Sequence, residues 1–315
     1  MVEKDEMRVV YCNTLIDLAK KDDRIIVLDS DLAGACGTKA FGQCFPQRYI
    51  NAGIAEANMV GVAAGLAASG KIPFVHSFAA FATRRCFDQL TVSVGFTGLN
   101  VKIAGTDPGI AAEANGGTHM ALEDVGIMRT LPNMVIFEPV DSIQLHKALP
   151  QIASYDGPVY MRLLRKKAES VFRESYNFKL GKADPLRDGK DVSIFATGLT
   201  VKNAIDAAEY LDREGIIAQV INIHTVQPLD IESVVSAAEK TRAVVTVENH
   251  NVVGGLGSAV AEVLGEHCPT PMYRVGVRGR FGEVGNKDYL MQLMGITAKD
   301  ICAAVRIVLG KKRVN

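Results

Sequence analysis

Glu56 is the only charged residue in the run INAGIAEANMVGVAAGLAASG from Ile50 to Gly70, where small and apolar side chains otherwise follow one another without a break. Ala57, Gly61, Ala64 and Ala68 recur at helical spacing, so the pattern predicts a helix that opens at Glu56 and carries a smooth face suited to close packing. Two effects compete on such a carboxyl. A helix N-terminus favours the ionised form by about 0.3–1 kcal/mol, while full burial disfavours it by about 3–5 pKa units, or about 4–7 kcal/mol. If a partner surface closes over Glu56, burial wins and the group can share a proton with a ligand. The alternative is a plain helix-start role in the first turn. After Gly70 an apolar strand is predicted over Ile72–Val75, with His76, Ser77, Phe78 and Phe81 just beyond it. The ends of strands are where α/β proteins build their sites.

The elements that must position these residues alternate along the chain. A helix is predicted over Arg8–Lys20 and strands over Arg24–Leu28, Val101–Ala104, Met134–Phe137 and Val159–Leu163. From Lys166 to Lys190 the sequence turns charged and polar, with Gly181, Pro185 and Gly189, and reads as an interdomain linker. A second series follows, with strands at Val192–Ala196, Ala218–Ile221, Ala243–Val247 and Met272–Val275. Its helices are predicted at Val201–Arg213, Glu232–Lys240, Ser258–Leu264 and Ala298–Leu309. Strand and helix in alternation imply parallel sheets. With 315 residues the chain has length for about two domains.

Composition excludes several classes. Thirty-five Lys and Arg balance 35 Asp and Glu, so the overall charge points to neither nucleic acid nor an anionic membrane. No apolar run reaches the about 18–20 residues of a membrane span, and the start MVEKDEMR lacks the apolar core of a signal peptide, so a cytoplasmic enzyme is expected. Six cysteines, at 12, 36, 44, 86, 268 and 302, form no C-x-x-C pair and read as reduced thiols. The glycines at 254, 255 and 257 lack the Lys-Ser/Thr of a phosphate loop. His224 and His250 assemble no metal triad by spacing, and loop or interface roles are expected for them.

The stretches GIAEANM (53–59) and SFAAF (77–81) resemble the pyrimidine-binding domain of thiamine-diphosphate enzymes. NIHTVQPLD (Asn222–Asp230), ENHNVVGGLGSAVAEVL (Glu248–Leu264) and GVRGRFGEVG (Gly276–Gly285) carry the resemblance into the second domain. The match is to the C-terminal half of transketolase, of the kind encoded as a separate subunit, and covers essentially the whole chain. It implies two consecutive three-layer α/β domains with mainly parallel sheets: a pyrimidine-binding domain over 1–186, including a linker at 166–186, and a transketolase C-terminal-like domain over 187–315.

The resemblance also assigns roles. Glu56 would touch the aminopyrimidine ring of the cofactor, where a proton-sharing carboxyl favours the ring tautomer that deprotonates the thiazolium carbon. Phe78 and Phe81 would line that ring's pocket, and Asp31 would lie near the thiazolium. Gly117-Thr118-His119 matches the family's G-P-T-H, so His119 would face substrate hydroxyls. Asn115 stands where full-length enzymes carry an Asp on the substrate 2-hydroxyl. Arg165 and Arg8 fall at the arginines that bind the sugar phosphate, for which a planar guanidinium is well shaped. The phosphate-site serine is replaced by Ala35 or Cys36, and a pocket aromatic by Arg84, which implies an altered anionic-sugar pocket. No Gly-Asp-Gly occurs, so the Mg²⁺ ligands for the diphosphate are expected from an N-terminal partner subunit. Self-association through the first domain and a heterotetramer with two copies of each subunit follow. The activity the resemblance implies is thiamine-diphosphate-dependent transfer of a two-carbon ketol unit between sugar phosphates, with the beta subunit of a 2-oxoacid dehydrogenase and a noncatalytic assembly subunit as the alternative readings.

Overall fold

Apolar five-residue runs such as Ile25–Asp29 and Val159–Leu163 are buried at every position, the signature of parallel strands covered on both faces. The computed structural model describes residues 5–312 and sorts its strands into two sheets. The first sheet is built from β1 (Ile25–Asp29), β2 (Tyr49–Asn51), β3 (Ile72–Phe78), β4 (Lys102–Thr106), β5 (Val135–Phe137) and β6 (Val159–Leu163). The second contains β7 (Asp184–Arg187), β8 (Val192–Ala196), β9 (Ala218–Asn222), β11 (Val244–Asn251) and β12 (Met272–Val277). Between β9 and β11 the chain makes β10 (Thr225–Gln227), which leaves its own domain and joins the first sheet.

The first sheet runs β10-β5-β6-β4-β3-β1-β2, parallel throughout except for β10, which pairs antiparallel with β5. Successive side chains of a strand face opposite layers, so Val27 joins Tyr11, Leu15, Phe74 and Leu149 under helices Met7–Ala19 and Ser142–Ser154. Leu28 joins Met59, Val60 and Val75 under helix Glu56–Ala68. The second sheet runs β12-β11-β8-β9-β7 and is likewise covered on both faces, by helices Thr200–Asp212 and Ala298–Lys312 on one side. Helices Ile231–Thr241 and Leu256–His267 cover the other. Two three-layer α/β units therefore follow one another, and among the described residues no helix is long and apolar enough to cross a membrane.

Three sequence expectations are corrected. The stretch read as a linker contains β7, already paired antiparallel with β9, so the expected boundary at 186/187 falls inside a strand. Pro185 is tolerated there because β7 is an edge strand. β3 continues through His76, Ser77 and Phe78, leaving only Phe81 beyond it, in the short helix Ala79–Ala82. The helix at Lys287–Met294 was not anticipated; Asn286 caps it by accepting from the Tyr289 backbone N–H at 2.9 Å.

A buried ionic cluster joins the two domains. Arg162 on β6 is 1 % exposed and donates to Asp124 at 2.7 and 3.1 Å, to Glu138 at 2.8 Å and to the backbone carbonyl of Asn249 at 3.0 Å. Tyr160 donates to Asp124 at 2.6 Å, and Thr197 to Glu138 at 3.1 Å. The guanidinium is shared by two carboxyls, and burial raises Glu138 from its ordinary value while Arg162 lowers it; loss of one partner from such a cluster costs about 3–5 kcal/mol. Asn249 extends the connection by donating to Pro108 O and accepting from Ile110 N, both at 2.9 Å. Gly109, at φ +56°, packs so tightly here that a Cβ would lie 2.2 Å from Asn249 Oδ1. The second domain thereby holds the loop that leaves the carboxyl end of β4.

Candidate active site

The carboxyl ends of β6, β4, β3 and β1 lie side by side, and the residues just past them form a row. Arg165 follows β6, Asp107 follows β4, Phe78 closes β3, and Asp31 follows β1. The register pairs Thr106 with both Phe78 and Leu163, so the order of the row is fixed by the sheet itself.

Glu56 opens its helix as the sequence predicts and is buried, with its side chain 2 % exposed. Its two oxygens are occupied. Ser77 Oγ donates to Oε1 at 3.1 Å, and Arg85 Nη1 bridges Oε1 and Oε2 at 3.0 and 2.9 Å. Ser30 donates in turn to Ser77 at 2.9 Å. Arg85 is 43 % exposed along its side chain and lies over the Phe81 ring at 3.9 Å from the centroid. The carboxyl expected to share a proton with a ligand is here half of an ion pair, and a ring seated between Glu56 and Phe81 must displace Arg85.

Phe78, Phe81 and His119 meet edge to face, with centroids 6.2 Å apart for the two phenylalanines, 5.7 Å for Phe78 and His119, and 5.0 Å for Phe81 and His119. The expected residues thus come together around one aromatic corner. Thr118 Oγ1 lies 3.0 Å from His119 Nδ1, and among the described residues Nε2 makes no hydrogen bond. Arg84 braces this loop by donating to Thr118 O at 2.6 Å and to Glu123 at 2.8 Å. Gly282 of the second domain presses on the same loop, so closely that a Cβ on Gly117 would meet its carbonyl at 2.2 Å.

On the far side of Phe78 stands Arg165, its guanidinium carbon 5.0 Å from the ring centroid. Its Nε donates to Asp107 Oδ2, and its backbone N–H to Asp107 Oδ1 at 3.0 Å. Arg8 is adjacent, since its backbone N–H donates to Arg165 O at 3.3 Å; its guanidinium pairs with Glu6 at 2.7 Å and reaches Ala35 O at 3.3 Å. Cys36 is buried beside Thr106 at 3.6 Å, and burial pushes its thiol up to about 12, so it is not a nucleophile. Asp31 is exposed at φ +63° and held by Asn51, whose Nδ2 donates at 3.0 Å. Asn115 is exposed at the end of the 3₁₀ segment Gly109–Asn115, one turn before His119.

Other expectations resolve simply. His224 and His250 are buried at the domain contact. Gly255 is a glycine because a Cβ there would lie 1.9 Å from Glu248 Oε2, a packing need and not a phosphate cradle. Gly61 and Ala68 face solvent and Ala57 is half-buried, as a smooth contact face requires, but Ala64 turns inward beside Val60 and Ala63.

Sequence reasoning missed Arg85, Ser77 as a Glu56 donor, and Asp107. The only signals were the doubled arginine after S-F-A-A-F and the Thr-Asp-Pro-Gly turn after β4.

Comparison with known proteins fits this geometry. A family profile for the transketolase pyrimidine-binding domain matches residues 3–170, and one for the transketolase C-terminal domain matches 181–301. The chain belongs to the transketolase family. It is 57 % identical over 311 residues, 99 % of this chain and 97 % of the other, to a protein of Clostridium sp. (strain MSTE9) named 6-deoxy-6-sulfo-D-fructose transketolase subunit SqwH. A putative transketolase C-terminal section of Methanocaldococcus jannaschii is 40 % identical over 97 % of both chains. A solved structure titled as a split gene transketolase, inactive beta4 tetramer, superposes with a TM-score of 0.89 at 43 % identity, covering 98 % of this chain and 99 % of that one.

Proposed function

We propose that this chain is the C-terminal subunit of a split transketolase that transfers a two-carbon ketol unit between anionic sugars, a 6-deoxy-6-sulfo ketose being the preferred donor. One observation carries the reading: contacts run from Glu56 through Arg85 to the Phe78–Phe81–His119 corner and on to Arg165, which brings together a carboxyl, an aromatic wall and a cation as a cofactor ring, a ketose and its terminal anion would need. The Clostridium relative supports the sulfo sugar, because the likeness extends over nearly all of both chains.

The residues present fit the pyrimidine end of thiamine diphosphate. Phe78 and Phe81 offer apolar edges, and Glu56 is a buried carboxyl backed by Ser77. The cofactor, when bound, supplies the carbon nucleophile. Glu56, once released by Arg85, holds the proton at the ring nitrogen. His119 hydrogen-bonds a ketose hydroxyl and stabilises negative charge that develops there. Arg165, with Arg8 behind it, holds the sugar's terminal anion.

Among the described residues no group of three or more His, Cys, Asp or Glu could hold a metal ion. We assign the Mg²⁺ and diphosphate ligands to an N-terminal partner subunit, and the assembly to two copies of each chain. Val62 on the helix that opens at Glu56, Ile54 before it, and Val92 and Phe96 on the neighbouring segment are between 38 and 90 % exposed and together offer the apolar surface for self-association through the first domain.

The test is reconstitution. With thiamine diphosphate and Mg²⁺ the isolated chain should show no ketol transfer, and addition of the partner should create it. Turnover by the chain alone refutes the shared site; a complex that decarboxylates pyruvate and ignores ketoses establishes the 2-oxoacid dehydrogenase reading instead.

A further inference from the structure

Arg165 does not meet its ligand as a free cation. Asp107 holds it through both the backbone N–H and Nε, and Asp107 is itself 4 % exposed and strained at φ +49°. Such a backbone conformation is uncommon outside glycine and tolerated best by Asp and Asn. Among the described residues the two Nη groups of Arg165 make no hydrogen bond, and the guanidinium lies 5.0 Å from the Phe78 ring centroid. Arg165 is offset by Asp107, and Arg8 is offset by Glu6.

We propose that Asp107 is a specificity-determining positioning residue, which sets the anion subsite to accept a singly charged terminal group, a sulfonate, in preference to a doubly charged phosphate. The proposal rests on the transketolase reading above and deepens it. A sulfonate carries one negative charge at every accessible pH. A phosphate monoester carries about 1.5–2 at pH 7, with its second proton lost near pH 6. Both present three oxygens of similar size, so the guanidinium fork cannot separate them by shape. A fixed carboxylate on the rear of that guanidinium can, because its repulsion scales with the charge of the ligand and so weighs about twice as heavily on a dianion as on a monoanion. Burial raises Asp107 from the usual carboxylate range while Arg165 lowers it, so the carboxylate stays charged only as long as the pair stays intact.

The experiment uses the enzyme assembled with its partner and compares 6-deoxy-6-sulfofructose with fructose 6-phosphate. The readout is the ratio of their kcat/KM values from pH 5.5 to 7.5. Arg165, Glu113 and Cys36 act on Asp107 directly, and Lys166, Lys167, Glu169, Lys202 and Lys287 line the same cavity. Each acts more strongly on a dianion than on a monoanion, so their titration enters the ratio in both proteins, and the part assigned to Asp107 is the difference between the native and Asp107→Asn profiles. In the native enzyme the phosphate donor should gain on the sulfonate as pH falls through about 6 and its monoanion forms. In Asp107→Asn, which keeps the backbone conformation and an acceptor for the Arg165 N–H, the ratio at pH 7.5 should move toward phosphate by about tenfold, the effect of one charge at such range. The gain at low pH should vanish. A native ratio that does not change with pH overturns the proposal without recourse to any variant, and so does an unchanged ratio in Asp107→Asn. Either result leaves the transketolase reading standing if ketoses are turned over. A complex that turns over neither donor refutes that reading itself.

Discussion

Replacing Glu248 by glutamine should make the protein more stable in mild alkali than in mild acid, relative to the native chain. Glu248 lies on β11, 1 % exposed, where Oε1 accepts from the Gly257 backbone N–H at 2.9 Å, while Oε2 accepts no hydrogen bond among the described residues and lies 3.8 Å from His250 Nδ1. Burial pushes its carboxyl up to about 8, against the partial relief given by the amides of Gly257 and Leu256. The folded chain therefore holds a proton between about pH 4.5 and 8 that the unfolded chain has released. Stability linked to this group is fully present below pH 4.5 and lost as pH rises toward 8, at about 1.4 kcal/mol per unit and up to about 5 kcal/mol in all. Glutamine does not titrate, but its amide places a donor where Oε2 found no partner, at a cost of about 1–3 kcal/mol. Near pH 5.5 the two terms roughly cancel. At pH 8 the variant should be ahead by about 2–3 kcal/mol. Urea unfolding of both proteins at pH 5.5 and 8 measures the difference, which should shift by about 3 kcal/mol between the two conditions. A difference that stays constant shows that Glu248 is ionised in the folded protein, and the reasoning from burial fails.

Two further predictions concern the corner around Glu56. Glu56→Gln in the assembled enzyme should slow deuterium exchange at the thiazolium carbon by about 10²–10⁴-fold, the usual contribution of a positioned acid or base, with assembly unchanged; an unaltered exchange rate assigns Glu56 to the helix start alone. Arg85→Ala removes a half-exposed ion pair of about 0–1 kcal/mol and a cation–π contact of about 0.5–1 kcal/mol that a bound ring must displace. Cofactor affinity, read by calorimetric titration of the assembled enzyme, should tighten by up to about tenfold, whereas weaker binding would show that Arg85 stays in place and holds the cofactor.

How much of this was legible in the sequence depended on how local the cause was. Glu56 at a helix start, the strands Val159–Leu163 and Val192–Ala196, and the paired helices of both domains follow from periodicity within about a dozen residues. β7 was hidden because a charged edge strand has one solvated face and a proline, and nothing in 166–190 announces its pairing with β9. The row at the sheet edge was partly legible. His119, Phe78, Phe81 and Arg165 could be marked through their motifs, but the aspartate that restrains Arg165 comes from 58 residues earlier in the chain. Arg162 is a polar residue within the apolar strand Val159–Leu163; its partners Asp124, Glu138 and Asn249 lie on three separate segments, and long-range pairing of that kind leaves no periodic trace.

β10 makes the two domains indivisible. A sheet whose last strand is borrowed from the neighbouring domain has no natural end of its own: remove the second domain and β5 is left with a bare ladder of carbonyls and amides, the kind of edge through which chains aggregate. The same excision would strip Asn249 from the loop after β4 and bare the buried charge of Arg162. Recombination can therefore exchange this subunit whole, but a crossover between its halves would have to carry β10 along with the sheet it completes, even though that strand lies within the sequence of the other domain.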